Sequence, residues 1–221
     1  MRAPISVIIP TLNAERGLQD CLMALTEGLE AGLIAEVIVS DGGSRDATFT
    51  IADAWGAHVL SGPPSRGGQL RRGCAAACGT WLLVVHADTV LAPGWASAAA
   101  AHLKTQHAGY FRLRFDTGGR VVAAWANLRA RMLALPYGDQ GLLLPQQLYE
   151  RVGGFPDLPL MEDVALVRAL RGQLVPLDAE AITSAARYRT QGWVRRGARN
   201  LWLLAQYFAG VSPVRLAEKY R

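Results

Sequence analysis

What most restricts the fold of this chain is a regular alternation, across its first 90 residues, of β-branched apolar runs with segments of helical spacing. Ile5-Ser6-Val7-Ile8-Ile9 is a strand-like run ended by Pro10, after which Leu18, Leu22 and Leu25, with Cys21 between them, predict an amphipathic helix. Glu36-Val37-Ile38-Val39-Ser40 predicts a second strand, residues from about 46 to 55 a helix, His58-Val59-Leu60 a short strand, and residues from about 67 to 78 another helix. Trp81-Leu82-Leu83-Val84-Val85 is apolar throughout, the pattern of a strand covered on both faces. These are βαβ units. The expected fold is α/β, a mixed, mainly parallel sheet with helices on both faces and further helices at the C-terminus.

Beyond residue 90 the regularity loosens. The alanines of 96 to 101 suit a helix, and Tyr110-Phe111-Arg112-Leu113-Arg114-Phe115 alternates at period two, predicting a half-exposed antiparallel strand. A helix is expected over about 121 to 134, and Gly141-Leu142-Leu143-Leu144 reads as a short strand stopped by Pro145. Gly153-Gly154-Phe155-Pro156 is a loop leading to an acidic helix start at Glu162-Asp163. No linker interrupts this order. Residues 1–221 are expected to form one domain, with a nucleotide-binding half (1–90), an acceptor and catalytic half (91–180) and a basic helical tail (181–221).

Charge separates the tail from the rest. Residues 1–186 carry 15 basic and 17 acidic side chains, whereas 187–221 carry 8 basic side chains and only Glu218. The net charge of +5 is therefore a C-terminal property, which argues against a nucleic-acid partner for the body. At 51% hydrophobic and 19% charged the chain is too apolar for disorder, yet no apolar run reaches the length of a bilayer span. Met1-Arg2-Ala3-Pro4 leads straight into the first strand without signal-peptide architecture, so a cytoplasmic location is expected. Cys74 and Cys78, one helical turn apart among alanines, read as small buried side chains, since with Cys21 they cannot complete a zinc site.

In an open parallel sheet, ligands bind beyond the C-terminal strand ends. Three polar clusters fall there: Pro10-Thr11-Leu12-Asn13-Ala14-Glu15, Asp41-Gly42-Gly43-Ser44-Arg45-Asp46 and His86-Ala87-Asp88-Thr89. Asn13 is also open to a plainer use as a cap of the first helix, and for Ser44 and Asp46 capping of the next helix is the preferred reading. Asp41 follows a buried strand and precedes two glycines, an expensive place for a carboxylate without a task, and is expected to accept hydrogen bonds from a base edge or ribose. Arg66 and Gln69 flank a helix start, a natural anion site, and are chosen as ligand contacts, while of Arg71 and Arg72 at least one is expected in solvent.

The succession of these clusters with Arg66-Gly67-Gly68-Gln69, Gly153-Gly154-Phe155 and Glu162-Asp163 resembles glycosyltransferase family 2 and its GT-A fold over roughly residues 4–175, and in detail a bacterial subgroup of it. The resemblance implies transfer of a sugar, with inversion, from a nucleotide-diphospho-sugar, UDP- ahead of GDP-, to a hydroxyl acceptor, with a lipid-linked one among the alternatives. Pro10, Thr11, Asn13 and Glu15 would lie along the nucleotide with Asp41 at the base, and Ala87 beside it. Asp88 would match the metal-binding aspartate of the family's Asp-x-Asp signature, with His86 in place of the first aspartate and a second option as ligand for Mg²⁺ or Mn²⁺. Asp163 would be the general base, with Glu162 beside it, and Asp139, Gln140 and Trp193 would lie on the acceptor side.

The tail carries Arg187, Arg189, Arg195, Arg196 and Arg199 beside an apolar stretch from Leu201. It is open to three readings: contact with the diphosphate, peripheral contact with an anionic membrane surface, or packing on the body or on a second copy in a homodimer. Two rivals to the transferase reading are a nucleotidyltransferase, which would carry a Gly-rich loop after its first strand, and a non-catalytic nucleotide-sugar or membrane-binding module.

Overall fold

The structure, a computed structural model, describes residues 3–220; Met1, Arg2 and Arg221, on which parts of the terminal readings fall, lie outside the described residues. Its strands are β1 (Ile5–Thr11), β2 (Ile34–Asp41), β3 (His58–Ser61), β4 (Trp81–Val84), β5 (Thr89–Leu91), β6 (Ala108–Phe115), β7 (Leu142–Pro145) and β8 (Leu174–Thr183). They form one sheet in the order β3-β2-β1-β4-β7-β6-β8-β5. The helices are α1 (Glu15–Ala24), α2 (Thr26–Glu30), α3 (Thr48–Ala54), α4 (Arg66–Ala76), α5 (Trp95–His102), α6 (Arg120–Leu133), α7 (Gln146–Arg151), α8 (Glu162–Ala169), α9 (Ala186–Gln191), α10 (Trp193–Phe208) and α11 (Pro213–Tyr220).

Strand periodicity builds both layers. Val7 and Ile9 of β1 enter the core under α1 and α5, whereas Ile8 joins Leu70 and Cys74 of α4 on the opposite face. β4 divides likewise, Leu83 to one side and Leu82 and Val84 to the other, which is why its sequence shows no polar alternation. β1, β2, β3 and β4 run parallel, so the loops after β1, β2 and β4 emerge at one edge; β7 lies antiparallel to β4 and brings the turn before it to that same edge.

The structure departs from expectation at β6, at β8 and at Cys78. β6 pairs antiparallel with β7 only at Gly109 and Tyr110, and runs parallel to β8 along most of its length. β8 has no counterpart in the sequence reading: Pro176 and the charged Asp178 and Glu180 mask its alternation, and its register against β6 shifts between Tyr110 and Arg112, where the chain accommodates a proline. Cys78 is exposed rather than buried, because α4 stops at Ala76 and Cys78 lies beyond it with its N–H donated to Glu36 Oε1 at 2.7 Å.

Candidate active site

The loops after β1 and β2 are stitched to each other. Thr11 and Asp41 are register partners at the strand ends, and Asp41 accepts four hydrogen bonds, from Thr11 Oγ1 (2.9 Å), Ser44 Oγ (2.5 Å) and the N–H groups of Gly43 and Ser44 (both 2.8 Å). That is about the full capacity of a carboxylate. Burial acts to raise the Asp41 carboxyl, but the donors from Ser44, Thr11 and Gly43 outweigh it and hold it below the usual carboxylate range. The carboxylate expected to need a ligand thus has a task inside the protein. Asn13 does not cap α1, whose N-cap is Ala14; at φ 51° it takes the Arg45 N–H on Oδ1 and gives its own N–H to Ser44 Oγ. Ser44 likewise caps nothing. Asp46 serves the start of α3, accepting from the Thr48 N–H at 3.1 Å, and Glu15 accepts from the Ala47 N–H. Gln69 is buried and donates to the carbonyls of Thr11 (2.6 Å) and Ser40 (2.9 Å), a strut between two strands. Arg72 reaches the Asp41 carbonyl, and Arg71 is exposed, as expected of one of the pair.

The end of β4 presents different chemistry. Asp88 is exposed and makes no hydrogen bond or ion pair among the described residues. A Cβ on Gly17 of α1 would lie 2.8 Å from the Ala87 carbonyl oxygen, so the helix approaches this turn closely enough to require glycine. No group of three His, Cys, Asp or Glu side chains among the described residues could hold a metal alone. One uncommitted carboxylate at a strand end fits a cation whose remaining ligands are substrate phosphates and water, the usual arrangement for Mg²⁺. Burial, then the Arg66 guanidinium, push His86 down to about 4 against the pull of Asp88 and Asp163, so its imidazole is neutral near pH 7.

The start of α4 and the start of α8 are held together by the loop between α7 and α8. Gly67 donates its N–H to the Leu158 carbonyl at 3.0 Å, and a Cβ there would collide with the Pro156 carbonyl oxygen. This embrace sets Arg66 Nε 3.6 Å from Glu162 Oε1. Glu162 is fully buried and neither of its oxygens has a hydrogen-bond partner among the described residues. Burial, reinforced by Asp163 and opposed by Arg66, raises its carboxyl to about 8. Asp163 points the other way. Its Oδ2 accepts the Gly138 N–H at 2.8 Å, and it walls a small cavity with His86, Tyr137 and Gly138. Gly138 is itself pressed on His86, to whose ring a Cβ would come within 2.5 Å. Met161, which precedes the pair, holds φ 67°, a strained angle for a bulky residue and one of three non-glycine positive angles among the described residues.

Of the sequence-assigned residues, Arg66, His86, Asp88, Asp139, Glu162 and Asp163 therefore converge on one volume: Arg66, Asp88 and Asp163 act on His86, Asp88 and Asp163 on Asp139, and Arg66 and Asp163 on Glu162. Pro10, Thr11, Asn13, Glu15, Asp41 and Gln69 lie at the adjoining strand ends, where Thr11 bonds Asp41 and Gln69 while Asn13 and Glu15 bond to the loop after β2. Gln140 is wholly buried and bonds to the Phe111 carbonyl at 3.1 Å, supporting the Gly138 turn from behind rather than facing a cleft. Trp193 stacks on Tyr188 at 4.9 Å and lies across Phe115, closing the far side. Of the tail arginines named in the sequence, Arg187 of α9 acts on His86. Two residues, Arg129 and Tyr137, had no signal of their own in the sequence. Arg129 and Tyr137 stack at 3.4 Å beside Asp139, brought together by a helix and a loop that sequence adjacency does not connect.

A mainly parallel sheet with polar loops at the β1, β2 and β4 ends, an uncommitted aspartate after β4 and an acidic pair opening a later helix have the arrangement of the GT-A fold. The family follows: the model for "Glycosyl transferase family 2" matches residues 6–155, and the chain belongs to that family. The match ends before Glu162. Glucosyl-3-phosphoglycerate synthase of Mycobacterium tuberculosis is 34% identical over 95 residues, covering 39% of this chain and 29% of that protein, so the match spans less than a third of that relative. Its crystal structure with Mn²⁺, UDP and glucosyl-3-phosphoglycerate superposes with a TM-score of 0.60 at 24% identity, over 82% of this chain and 70% of that one. Staphylococcus aureus TarS (residues 1–349) with UDP-GlcNAc gives a TM-score of 0.67 at 19% identity, over 82% and 58%. No helix of the described residues is long and apolar enough to cross a membrane.

Proposed function

We infer that this protein transfers a sugar from a UDP-sugar to a hydroxyl acceptor with inversion, as a single domain whose first half holds the donor. The observation that carries this reading is the disposition of Asp163, whose carboxylate is fixed by the Gly138 N–H, faces the cavity walled by His86 and, like Asp88, acts on that imidazole. A carboxylate so placed can take the proton of an attacking hydroxyl. Glu162, neutral near pH 7, positions Arg66 and the helix start. Asp88 would bind the divalent cation, with His86 as a neutral neighbour, and the cation when bound offsets the charge of the leaving diphosphate. Arg66, at the N-terminus of α4, and Arg187 supply positive charge on the same side. The stitched loops bearing Thr11, Asn13, Glu15 and Asp41 shape the floor for the nucleoside, Asp41 by holding the loop in form. The presence of UDP in solved relatives supports UDP over GDP.

Calorimetric titration of UDP-, GDP- and dTDP-sugars, each with and without Mn²⁺, tests the donor side: UDP-sugar binding that requires Mn²⁺ and is lost in Asp88→Ala is expected, and metal-independent binding of equal strength in that variant would sink the assignment. A peripheral membrane contact through α10 is a second reading, supported by exposed Val194 and Trp202 beside Arg195. Co-sedimentation of Arg195→Glu and Trp202→Ala with anionic vesicles tests it, retained binding counting against it.

A further inference from the structure

α6 is packed with its large residues outward. Its buried face is Ala123, Ala126 and Ala130, while Val121, Trp125, Leu128 and Met132, one helical face by spacing, are 51% to 83% exposed. This inverts the usual amphipathic arrangement, in which the large apolar side chains go to the core. Between α6 and α10 the inversion opens a groove of about 230 Å³, walled by Trp125, Trp193, Val194 and Leu201.

The groove's floor is polar and unsatisfied. Arg129 is 7% exposed; its Nε donates to the Leu135 carbonyl, but its Nη2 has no hydrogen-bond partner, nor do Tyr137 Oη and Asp139 Oδ1, all buried atoms of residues lining the groove. Buried polar atoms are normally paired, so three orphans at the bottom of one apolar groove describe the imprint of a ligand's polar end. Tyr137 walls both this groove and the cavity lined by Asp163, so the two lie on either side of one side chain.

The geometry points to this groove as the acceptor subsite, taking an amphiphile: a hydroxyl-bearing head on Arg129, Tyr137 and Asp139, and an apolar alkyl or aryl body between Trp125 and Trp193. The proposal rests on Asp163 acting as base for an acceptor hydroxyl. A neutral head suits the floor better than an anion, because the floor sets one guanidinium against Asp139, on which Asp163 and Asp88 also act. Hydroxyls can accept from Arg129 and donate to Asp139, satisfying both orphans. An apolar body longer than the groove would continue onto the exposed stripe of α6.

Titration with methyl, hexyl and octyl β-glucosides below their micelle concentrations, followed by tryptophan fluorescence and calorimetry, tests it on the full chain. Affinity should rise about threefold per methylene until the groove is filled. Trp125→Ala should weaken octyl glucoside at least tenfold, while UDP binding with Mn²⁺ stays unchanged. Phe49→Ala, an exposed apolar position on α3, should change nothing. Octyl and methyl glucosides binding alike, equal losses in Trp125→Ala and Phe49→Ala, or 1-octanol binding as tightly as octyl glucoside would each overturn the proposal. So would self-association abolished by Trp125→Ala with no glucoside bound, which would assign the groove to a second copy. UDP binding measured alongside separates this proposal from the donor reading, since either can fail while the other holds.

Discussion

Glu162 and Asp163 are adjacent in sequence and opposite in environment. About 100° of helix rotation sends one into the protein beside Arg66 and the other toward His86 and Gly138. Their consequences differ accordingly. Asp163→Asn should lower transfer by roughly 10² to 10⁴ with UDP and Mn²⁺ affinity intact, the loss expected of a general base; steady-state rates and calorimetry together read it, and full activity in the variant would refute the role. Glu162 instead bears on stability. Its carboxyl sits at about 8 when folded against 4.5 for an ordinary glutamate. Between those values the folded chain keeps a proton that the unfolded chain has released, so this contribution is fully present below about pH 4.5 and is lost as pH climbs through 8. Glu162→Gln removes that dependence, a difference of at most about 5 kcal/mol. Thermal unfolding from about pH 5 to 9 should show the variant gaining on the wild type at the alkaline end, and parallel curves would contradict it.

At the scale of elements, close approach decides which residues a site can use. α1 lies so near the turn after β4 that Gly17 is its only tolerable residue. Alanine would ordinarily stabilise a helix interior by up to about 1 kcal/mol over glycine. Here its Cβ meets a backbone carbonyl that cannot swing away, so Gly17→Ala should instead cost about 1–3 kcal/mol and displace Asp88. Denaturant unfolding and Mn²⁺-dependent UDP binding should fall together. The same logic explains Gly67 against Pro156 and Gly138 against His86. Composition marks such glycines as turns or breaks, whereas their function is to let a second element in. Asp41 carries the related lesson. Its position after a buried strand suggests a contact with the base or ribose, whereas the partners it has in the fold, Thr11, Gly43 and Ser44, are supplied by register and loop closure.

For the molecule as a whole, the C-terminal helices are part of the fold. Leu203 and Leu204 of α10 and Leu216 of α11 are buried, packing in clusters with Leu135, Val164, Val167 and Leu160. Removing residues 199–221 exposes these partners and should cost roughly 5 kcal/mol or more, at about 1.5–3 kcal/mol per buried leucine. A lowered unfolding temperature in the truncated chain checks this; an unchanged one would show the tail to be an appendage. The tail's positive charge is likewise distributed over several tasks. Arg187 acts at the cleft, Arg196 bonds Gln191 at 2.8 Å and lies over Tyr188, and Arg199 bonds the Lys219 carbonyl to tie α10 to α11. The +7 balance of this segment therefore has no single purpose.

Periodicity and strand-end chemistry alone determined the α/β class, the four parallel strands, and the position of the loops after β1, β2 and β4, because hydrophobic spacing and turn residues are local properties. The resemblance to glycosyltransferase family 2 singled out Asp88 and the Glu162-Asp163 pair as the acids to examine. What only the tertiary structure decided were pairings between distant segments: β8 beside β6, Gln69 and Gln140 as buried struts, the action of Arg187 on His86, and the unsatisfied trio of Arg129, Tyr137 and Asp139. Burial and partnership depend on what a residue meets across the fold, and a chain read in order carries no record of that meeting.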